Sequence, residues 1–396
     1  MDNIKKVFLS AKGASAAFGG HPWVFSKMIS NIEGSPQDGD IVSVFAKEQK
    51  IFIAYGLFNS NSDIQVRLYS WYQNEPLTQE WFRNRIEEAV HFRSQVLNLH
   101  QPNGARRLIF SESDQLSGLT VDQFGPFLVV QVTSLALAKR VELITSILVD
   151  ICKPKGILWK SVPNMDSKEG LVSSDQVLFG DVSQQTIQIE ENGVKFEIDL
   201  RTGQKTGFYL DQRENRSIIQ TLARDRTVLD LYCYSGGFSL NCAKGGASKV
   251  VGVDVSSSAI SLAQRNAELN EMTNIKFNKE DALQFLSLIP KESFSMIILD
   301  PPRFVSSKKS KQNALKMYYR INFEALKILE RGGLFVTCSC SGRSSIQEFL
   351  SLLASVARRS KKLLQILELR GASKDHPYSL HCPESQYLKC VVAKVT

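Results

Sequence analysis

Val228-Leu-Asp-Leu-Tyr-Cys-Tyr-Ser-Gly-Gly-Phe-Ser-Leu240 is the stretch whose reading decides the fold. Val228 to Leu231 reads as a short buried strand. It breaks at a Ser235-Gly236-Gly237 turn into a helical run from Phe238 to Lys244. Paired glycines at a strand-to-helix turn let backbone come close to a ligand, because no Cβ stands in the way. A second apolar strand, Lys249-Val-Val-Gly-Val-Asp254, ends in an acid 24 residues after Asp230. An acid in that place is where a nucleotide-binding α/β sheet holds a ribose hydroxyl. The glycine turn alone would be an ordinary turn; the acid-ended strand makes a nucleoside site the better reading.

Working outward, strand and helix patterns alternate from about residue 198, with strands expected near 228, 250, 275, 297, 334 and 388. That is the pattern of a mainly parallel sheet with helices on both faces. The turn lacks the spacing of a dinucleotide fingerprint and has no lysine placed for a triphosphate. Four further stretches stand in order around it: Lys205-Thr-Gly-Phe-Tyr-Leu-Asp-Gln-Arg-Glu-Asn-Arg216, then Asp281 in Lys279-Glu-Asp-Ala-Leu283, then Ile297-Ile-Leu-Asp-Pro-Pro-Arg-Phe304, and then Leu334-Phe-Val-Thr-Cys-Ser-Cys-Ser-Gly342. Asp-x-Tyr-x-x-x-Gly-Gly-Phe resembles the first motif of class I S-adenosylmethionine-dependent methyltransferases. The whole set resembles the ribosomal RNA large subunit methyltransferase I family, whose members make 5-methylcytosine in 23S rRNA.

Composition is consistent with this and decides little alone. At 396 residues two or three domains are expected, and 43% hydrophobic with 22% charged residues is ordinary for a globular protein. A net charge of +8 admits polyanionic partners. The N-terminus has no apolar core of signal-peptide length and no apolar run reaches ~18 residues, so no membrane is expected and the cytoplasm is the expected place. The seven cysteines form no paired Cys-x-x-Cys sets for zinc, so no metal is expected and the thiols are read as free.

The expected architecture is α/β, in three parts. Residues 1–72 carry short strands (Val7-Phe-Leu9, Ile41–Phe45, Ile51–Tyr55, Ile64–Leu68) and read as a small β-barrel, with Gly20-His-Pro-Trp-Val-Phe25 as an aromatic plug. The resemblance implies a PUA domain there, an RNA-binding barrel, with Lys12, His21 and Lys27 as candidate RNA contacts. Residues 73–197 read as a central α+β domain. Its first helix, from Thr78, places Phe82, Ile86, Ala89, Val90, Arg93 and Val96 at helical spacing, with its arginines as a solvated face. A second helix runs from about Leu135 to Ile151, and Thr186–Ile198 reads as a hairpin about Asn192-Gly193. Arg106 and Arg107 are further candidates for RNA. Residues 198–396 form the Rossmann-like methyltransferase domain.

The resemblance implies S-adenosylmethionine as cofactor and assigns roles. Asp230, Tyr232, Ser235 and Gly236 cradle its methionine end, Asp254 takes the ribose hydroxyls, and Asp281 takes the adenine amino group, with Glu280 as fallback. The bland reading of Asp254, a helix cap, is weaker because Ser256 and Ser257 can do that job. Asp300 opens the Asp-Pro-Pro loop beside the reactive methyl, and Phe208 and Gln212 close over cofactor and base, with Lys205. Two consecutive prolines fix that loop and remove two backbone donors.

Cytosine C5 is a poor nucleophile until a thiolate adds at C6. Cys338 and Cys340 both qualify, and a strand would put both on one side. The family pattern Ser-Cys-Ser-Gly puts the nucleophile at Cys340 and leaves Cys338 as a buried strand residue. Asp300 is the candidate for orienting or deprotonating the base. The chain lacks the second cysteine that two-cysteine RNA cytosine methyltransferases carry in this loop, so resemblance does not assign the proton acceptor. Lys205, Arg303, Lys308 and Lys309 are the candidate contacts to substrate RNA, which the resemblance makes 23S rRNA or a large-subunit precursor; a homodimer is admitted. The alternatives are a guanine-N7 methyltransferase, which needs no thiol, and a non-catalytic RNA-binding assembly factor.

Overall fold

The computed structural model describes residues 5–48, 50–162, 167–172, 174–183, 186–201, 203, 206–304, 311–342 and 344–396. The chain divides into two compact units. The first is Met1–Ile187, Asp199–Leu210 and Asp375–Ser385; the second is Gln188–Ile198, Asp211–Lys374 and Gln386–Thr396. No described helix is long and apolar enough to cross a membrane.

In the first unit, β1 (Lys5–Leu9), β2 (Trp23–Phe25), β3 (Ile29–Glu33), β4 (Ile41–Ala46), β5 (Phe52–Phe58) and β6 (Ile64–Ser70) form one sheet, ordered β2-β6-β5-β4-β1-β3. Alternate residues Val7 and Leu9, and Val42 and Val44, face one core with Ala14 and Ala17 of the helix Ala11–Phe18. The same alternation corrects the aromatic-plug reading. It is Val24 that enters the core, while Trp23 and Phe25 stay half-buried and Trp23 Nε1 donates to Glu112 Oε1 at 2.9 Å.

A second sheet of the same unit contains β7 (Ala105–Phe110), β8 (Leu119–Phe124), β9 (Phe127–Val132), β10 (Gly156–Trp159) and β11 (Gln176–Gly180), in the order β11-β10-β9-β8-β7. The helices Gln79–His91 and Val141–Cys152 share its core, to which Tyr55, Leu57 and Tyr69 of the first sheet also belong.

Of the arginines in the stretch from Thr78, Arg83 and Arg85 stay half-exposed and pair with exposed acids, but Arg93 departs from the expected solvated face. Arg93 is fully buried, donating to Asp114 Oδ1 at 2.6 Å and to the Asp375 carbonyl at 3.0 Å. Arg107 makes two 2.8 Å bonds to Asp122, and buried Arg106 donates to Gln123 Oε1. These heads are engaged inside the fold, which removes the RNA reading of Arg106 and Arg107. The segment Asp375–Ser385 completes this region. Asp375 Oδ2 accepts from the Arg107 backbone N–H, the His376 ring lies 5.3 Å from Phe110, and His381 Nδ1 meets the Gly19 carbonyl at 2.9 Å.

The hairpin of β12 (Thr186–Glu191) and β13 (Val194–Asp199) turns at Asn192 and Gly193, both at positive φ, as an Asn-Gly turn requires. Most of it lies in the second unit, where Asn270 and Asn266 accept from the backbone of Lys195 and Glu197.

The second unit is built on a seven-stranded sheet of β14 (Thr227–Leu231), β15 (Lys249–Asp254), β16 (Ile275–Lys279), β17 (Phe294–Leu299), β18 (Leu329–Ser339), β19 (Leu364–Arg370) and β20 (Lys389–Val395). Its order is β16-β15-β14-β17-β18-β20-β19, parallel from β16 to β18, with β20 antiparallel to both neighbours. Strand β19 has no counterpart among the expected strands, because this edge strand leaves Ile366, Leu367 and Leu369 exposed and shows no clean alternation. The chain leaves β14 for β15 on one side and reaches β17 on the other. That reversal opens a crevice at the C-terminal ends of the strands, where α/β sheets bind ligands.

Candidate active site

The residues at those strand ends form a cluster of carboxylates. Asp230, inside β14, is buried, and its Oδ2 accepts from Ser239 backbone N–H at 2.9 Å and Ser239 Oγ at 2.6 Å. Its Oδ1 and the Ser235 hydroxyl are both buried with no hydrogen-bond partner among the described residues. Burial pushes Asp230 up to about 7; the Asp300 and Asp254 carboxylates add to this, and the Ser239 bonds oppose it.

The loop after β14 is strained where it would meet a ligand. Tyr232 and Tyr234 have φ of 64° and 49°, a region costly for non-glycine residues. Gly236 follows at φ 85°, and a Cβ there would sit 2.4 Å from Leu240 Cδ1. The turn is held from below by Asn266, whose Nδ2 donates to the Ser235 carbonyl at 3.1 Å. Burial raises the Tyr232 phenol to about 12, with Asp281 and Asp254 adding to it, so all three side chains share one electrostatic neighbourhood.

Asp254, at the end of β15, accepts from the Tyr234 N–H at 3.0 Å through Oδ2 and from the Ser256 N–H at 2.9 Å through Oδ1. The following helix, Ser257–Leu269, is capped by Ser256 rather than Asp254. Asp281 uses Oδ1 to cap the helix Ala282–Leu288, accepting from Leu283 and Gln284. Sequence reasoning missed Ser239 and Asn266, which brace Asp230 and the Ser235 carbonyl; spacing carries no sign of such support.

A second group gathers at the ends of β17 and β18. Asp300 Oδ2 accepts from Gln212 Nε2 at 3.0 Å, and Gln212 is fixed in turn by Asn215 Nδ2 at 2.6 Å. The two cysteines part company here. Strand β18 ends at Ser339, so strand alternation no longer governs Cys340. Cys338 is fully buried opposite Cys390, and its thiol is pushed well above the ordinary range, first by its hydrogen bond with Cys390 and then by burial. Cys340 is half-exposed, its Sγ donating to the Pro301 carbonyl of the Asp-Pro-Pro loop at 3.8 Å. Arg303 is exposed on that loop, and the Phe304 ring lies 6.5 Å from Tyr232 and 4.9 Å from Tyr318.

Phe208, expected beside Gln212, is buried in the first unit, whereas Gln212 belongs to the second. Lys205, Lys308 and Lys309 lie outside the described residues. In the first unit, His21, Cys382 and Glu384 bring donor atoms within 4.8 Å of one another. The His21 Nδ1 accepts from the Trp23 N–H, which leaves the proton on Nε2, the nitrogen a metal would need.

Carboxylates Asp230, Asp254 and Asp300 around an orphaned buried oxygen favour a cationic ligand, and Asp254 and Asp281 suit ribose and adenine donors. This donor set fits S-adenosylmethionine, which carries an ammonium and a sulfonium.

Comparison with known proteins agrees. Residues 172–375 match the family described as S-adenosylmethionine-dependent methyltransferase, and residues 7–71 match a PUA-like domain. The Ribosomal RNA large subunit methyltransferase I of Aeromonas salmonicida is 37% identical over 378 residues, covering 94% of this chain and 95% of the relative. That of Pseudoalteromonas atlantica is 38% identical over 379 residues, covering 95% of each. In fold, the chain is similar to a SAM-dependent methyltransferase from Streptococcus mutans, with a TM-score of 0.83 at 21% identity, covering 98% of this chain and 99% of that one. With a carboxylate-lined crevice at the sheet's switch point and relatives matched along nearly its whole length, this chain belongs to the ribosomal RNA large subunit methyltransferase I family of S-adenosylmethionine-dependent methyltransferases.

Proposed function

We propose that the chain methylates C5 of a cytosine in 23S rRNA or a large-subunit precursor, through a covalent adduct between Cys340 and C6. The observation that carries this reading is the contrast between the two thiols. Cys338 is sealed in the sheet against Cys390, while Cys340 stands half-exposed against the Asp-Pro-Pro loop. The names of the relatives support ribosomal RNA as the substrate class.

In this reading Asp230, Ser235 and the loop through Gly236 hold the methionine end of the cofactor. Asp254 holds the ribose, and Asp281 offers its second carboxylate oxygen to the adenine amino group. Bound S-adenosylmethionine supplies an electrophilic methyl group to the C5 carbon. The Cys340 thiolate forms a bond to C6, and the electron pair of the 5,6 double bond moves to C5, making it nucleophilic. After C5 is methylated, a base removes its proton, the double bond reforms and the Cys340 thiolate is expelled. Asp300, oriented by Gln212, is the candidate to hold the base or take that proton. Arg303 faces substrate RNA from the same loop.

The test is methyl transfer from labelled S-adenosylmethionine to unmodified 23S rRNA, read by nucleoside mass spectrometry. The wild type should yield 5-methylcytosine, Cys340→Ala none, and Cys338→Ala a near-normal amount. Label on guanine, or unaltered transfer by Cys340→Ala, would sink the reading.

A further inference from the structure

A nucleophilic thiol needs a source of positive potential to raise its thiolate fraction at neutral pH. The second unit holds a cation for which the family motifs provide no role. Lys389 opens β20 directly opposite Ser339, the residue before Cys340, and is only 5% exposed. Its Nζ donates to the Ser341 carbonyl at 2.5 Å and to the Tyr387 carbonyl at 3.2 Å. The ammonium is therefore anchored by neutral carbonyl oxygens, one of them that of Ser341, the residue after Cys340.

Two groups of negative or potentially negative charge act on it, the Cys340 thiol and one carboxylate. Glu348, from the helix Ile346–Ser360, is the other acid that acts on Lys389. That carboxylate is already bound by Lys311 Nζ at 2.6 Å and by the Ser345 N–H at 2.9 Å. From the helix Lys311–Ile328, Tyr318 faces Cys340, its phenol pushed up by burial and so neutral. Asp300, at the end of β17, acts on Tyr318 and Cys338 and adds negative potential to the region. Cys338 is held neutral.

We infer that Lys389 is a positioning residue for the reaction: its buried ammonium stabilises the Cys340 thiolate and poises it for attack on the base. The inference deepens the thiol reading of the site and rests on it. Charge placement agrees, since burial drags Lys389 down to about 8 while Cys340, ahead of Glu348, pulls it back up. Taking charge out of water beside neutral carbonyls is costly. A thiolate partner offsets that cost, because an opposite charge within a few ångströms favours both ionised forms.

The experiment is the pH profile of Cys340 alkylation by iodoacetamide in the full chain, resolved from Cys338 by tandem mass spectrometry. Lys389→Gln keeps a donor for the Ser341 carbonyl and removes the charge; Lys389→Arg keeps the charge. The wild type should show a midpoint below the ~8.5 of a free thiol. Lys389→Gln should move that midpoint up by about one unit, cutting alkylation at pH 7 about tenfold, and Lys389→Arg should restore most of it. A folded Lys389→Gln protein with the wild-type midpoint overturns the assignment. Should that variant not fold, a wild-type midpoint at or above ~8.5 overturns it as well. The readout is independent of methyl transfer. A shifted midpoint without 5-methylcytosine keeps the pair and sinks the reaction, whereas 5-methylcytosine with an unmoved midpoint does the reverse.

Discussion

At the scale of the residue, Asp230 carries a strong electrostatic signature. Held up to about 7 by burial, with Asp300 and Asp254 nearby, it keeps its proton over a range where an ordinary aspartate has long lost it. The carboxylate is the form a cationic ligand prefers, so a bound cation expels that proton. The sign follows: cofactor affinity is low where Asp230 is protonated, below about 7, and rises as pH climbs through that value. Between pH 6 and 7.5 the association constant should rise about eightfold, accompanied by proton release. Titration calorimetry in two buffers of different ionisation enthalpy measures both. A flat profile in the wild type, or the same rise in Asp230→Asn, would show that Asp230 does not set it. The same residue explains why Ser239 went unread in the sequence: its importance lies in its two bonds to Asp230, and a serine in the first turn of a helix is otherwise commonplace.

At the scale of the element, what could be read depended on whether a motif lies within one strand and its turn or is assembled from distant segments. The strand ends bearing Asp230 and Asp254 are local: an apolar run, a glycine turn, an acid at the end of the next run. The structure has these elements at Thr227–Leu231 and Lys249–Asp254. Choosing between Cys338 and Cys340 was not local. Alternation makes them equivalent, and they differ because β18 ends between them and because Cys390 arrives from β20 to face the first. Arg93 failed for a related reason. Its spacing places it on the buried face of its helix, and the carboxylate of Asp114 with the carbonyls of Asp375 and Ala89 makes such burial tolerable. Lys389 did leave a sign: a lone cation beginning a strand whose next residues, Cys390 to Ala393, are all buried.

At the scale of the whole molecule, the PUA-like match lies in the first unit and the strand-end carboxylates in the second, so a charge test can address one without the other. Lys12 and Lys27 are exposed on the N-terminal unit, within the PUA-like match. Removing that domain outright would take away Tyr55, Leu57 and Tyr69 and so uncover Trp81 and Phe82, with which they share a core. Reversing two surface charges avoids this. Lys12→Glu with Lys27→Glu should weaken rRNA binding and reduce its salt slope by about one per lost phosphate contact, with cofactor affinity unchanged. If rRNA binding and its salt slope are both unmoved, the RNA contacts lie elsewhere.

The first unit also borrows its closing segment, Asp375–Ser385, from near the other end of the chain, which sets a schedule for its birth. The ribosome finishes Ile187 about 200 residues before it finishes Ser385. At ~5–20 residues per second, the N-terminal unit waits roughly 10–40 s for its last piece. Until then Arg93 lacks the Asp375 carbonyl, and the backbone N–H of Arg107 lacks the Asp375 carboxylate. Nascent chains arrested before Asp375 should therefore remain open to protease within residues 79–132, and release past Ser385 should close them. Protection already complete in the shorter chains would mean that the segment only decorates a finished fold. For a cell, the usual head start of an N-terminal domain is forfeited, and the long interval before closure is when a chaperone has most to protect.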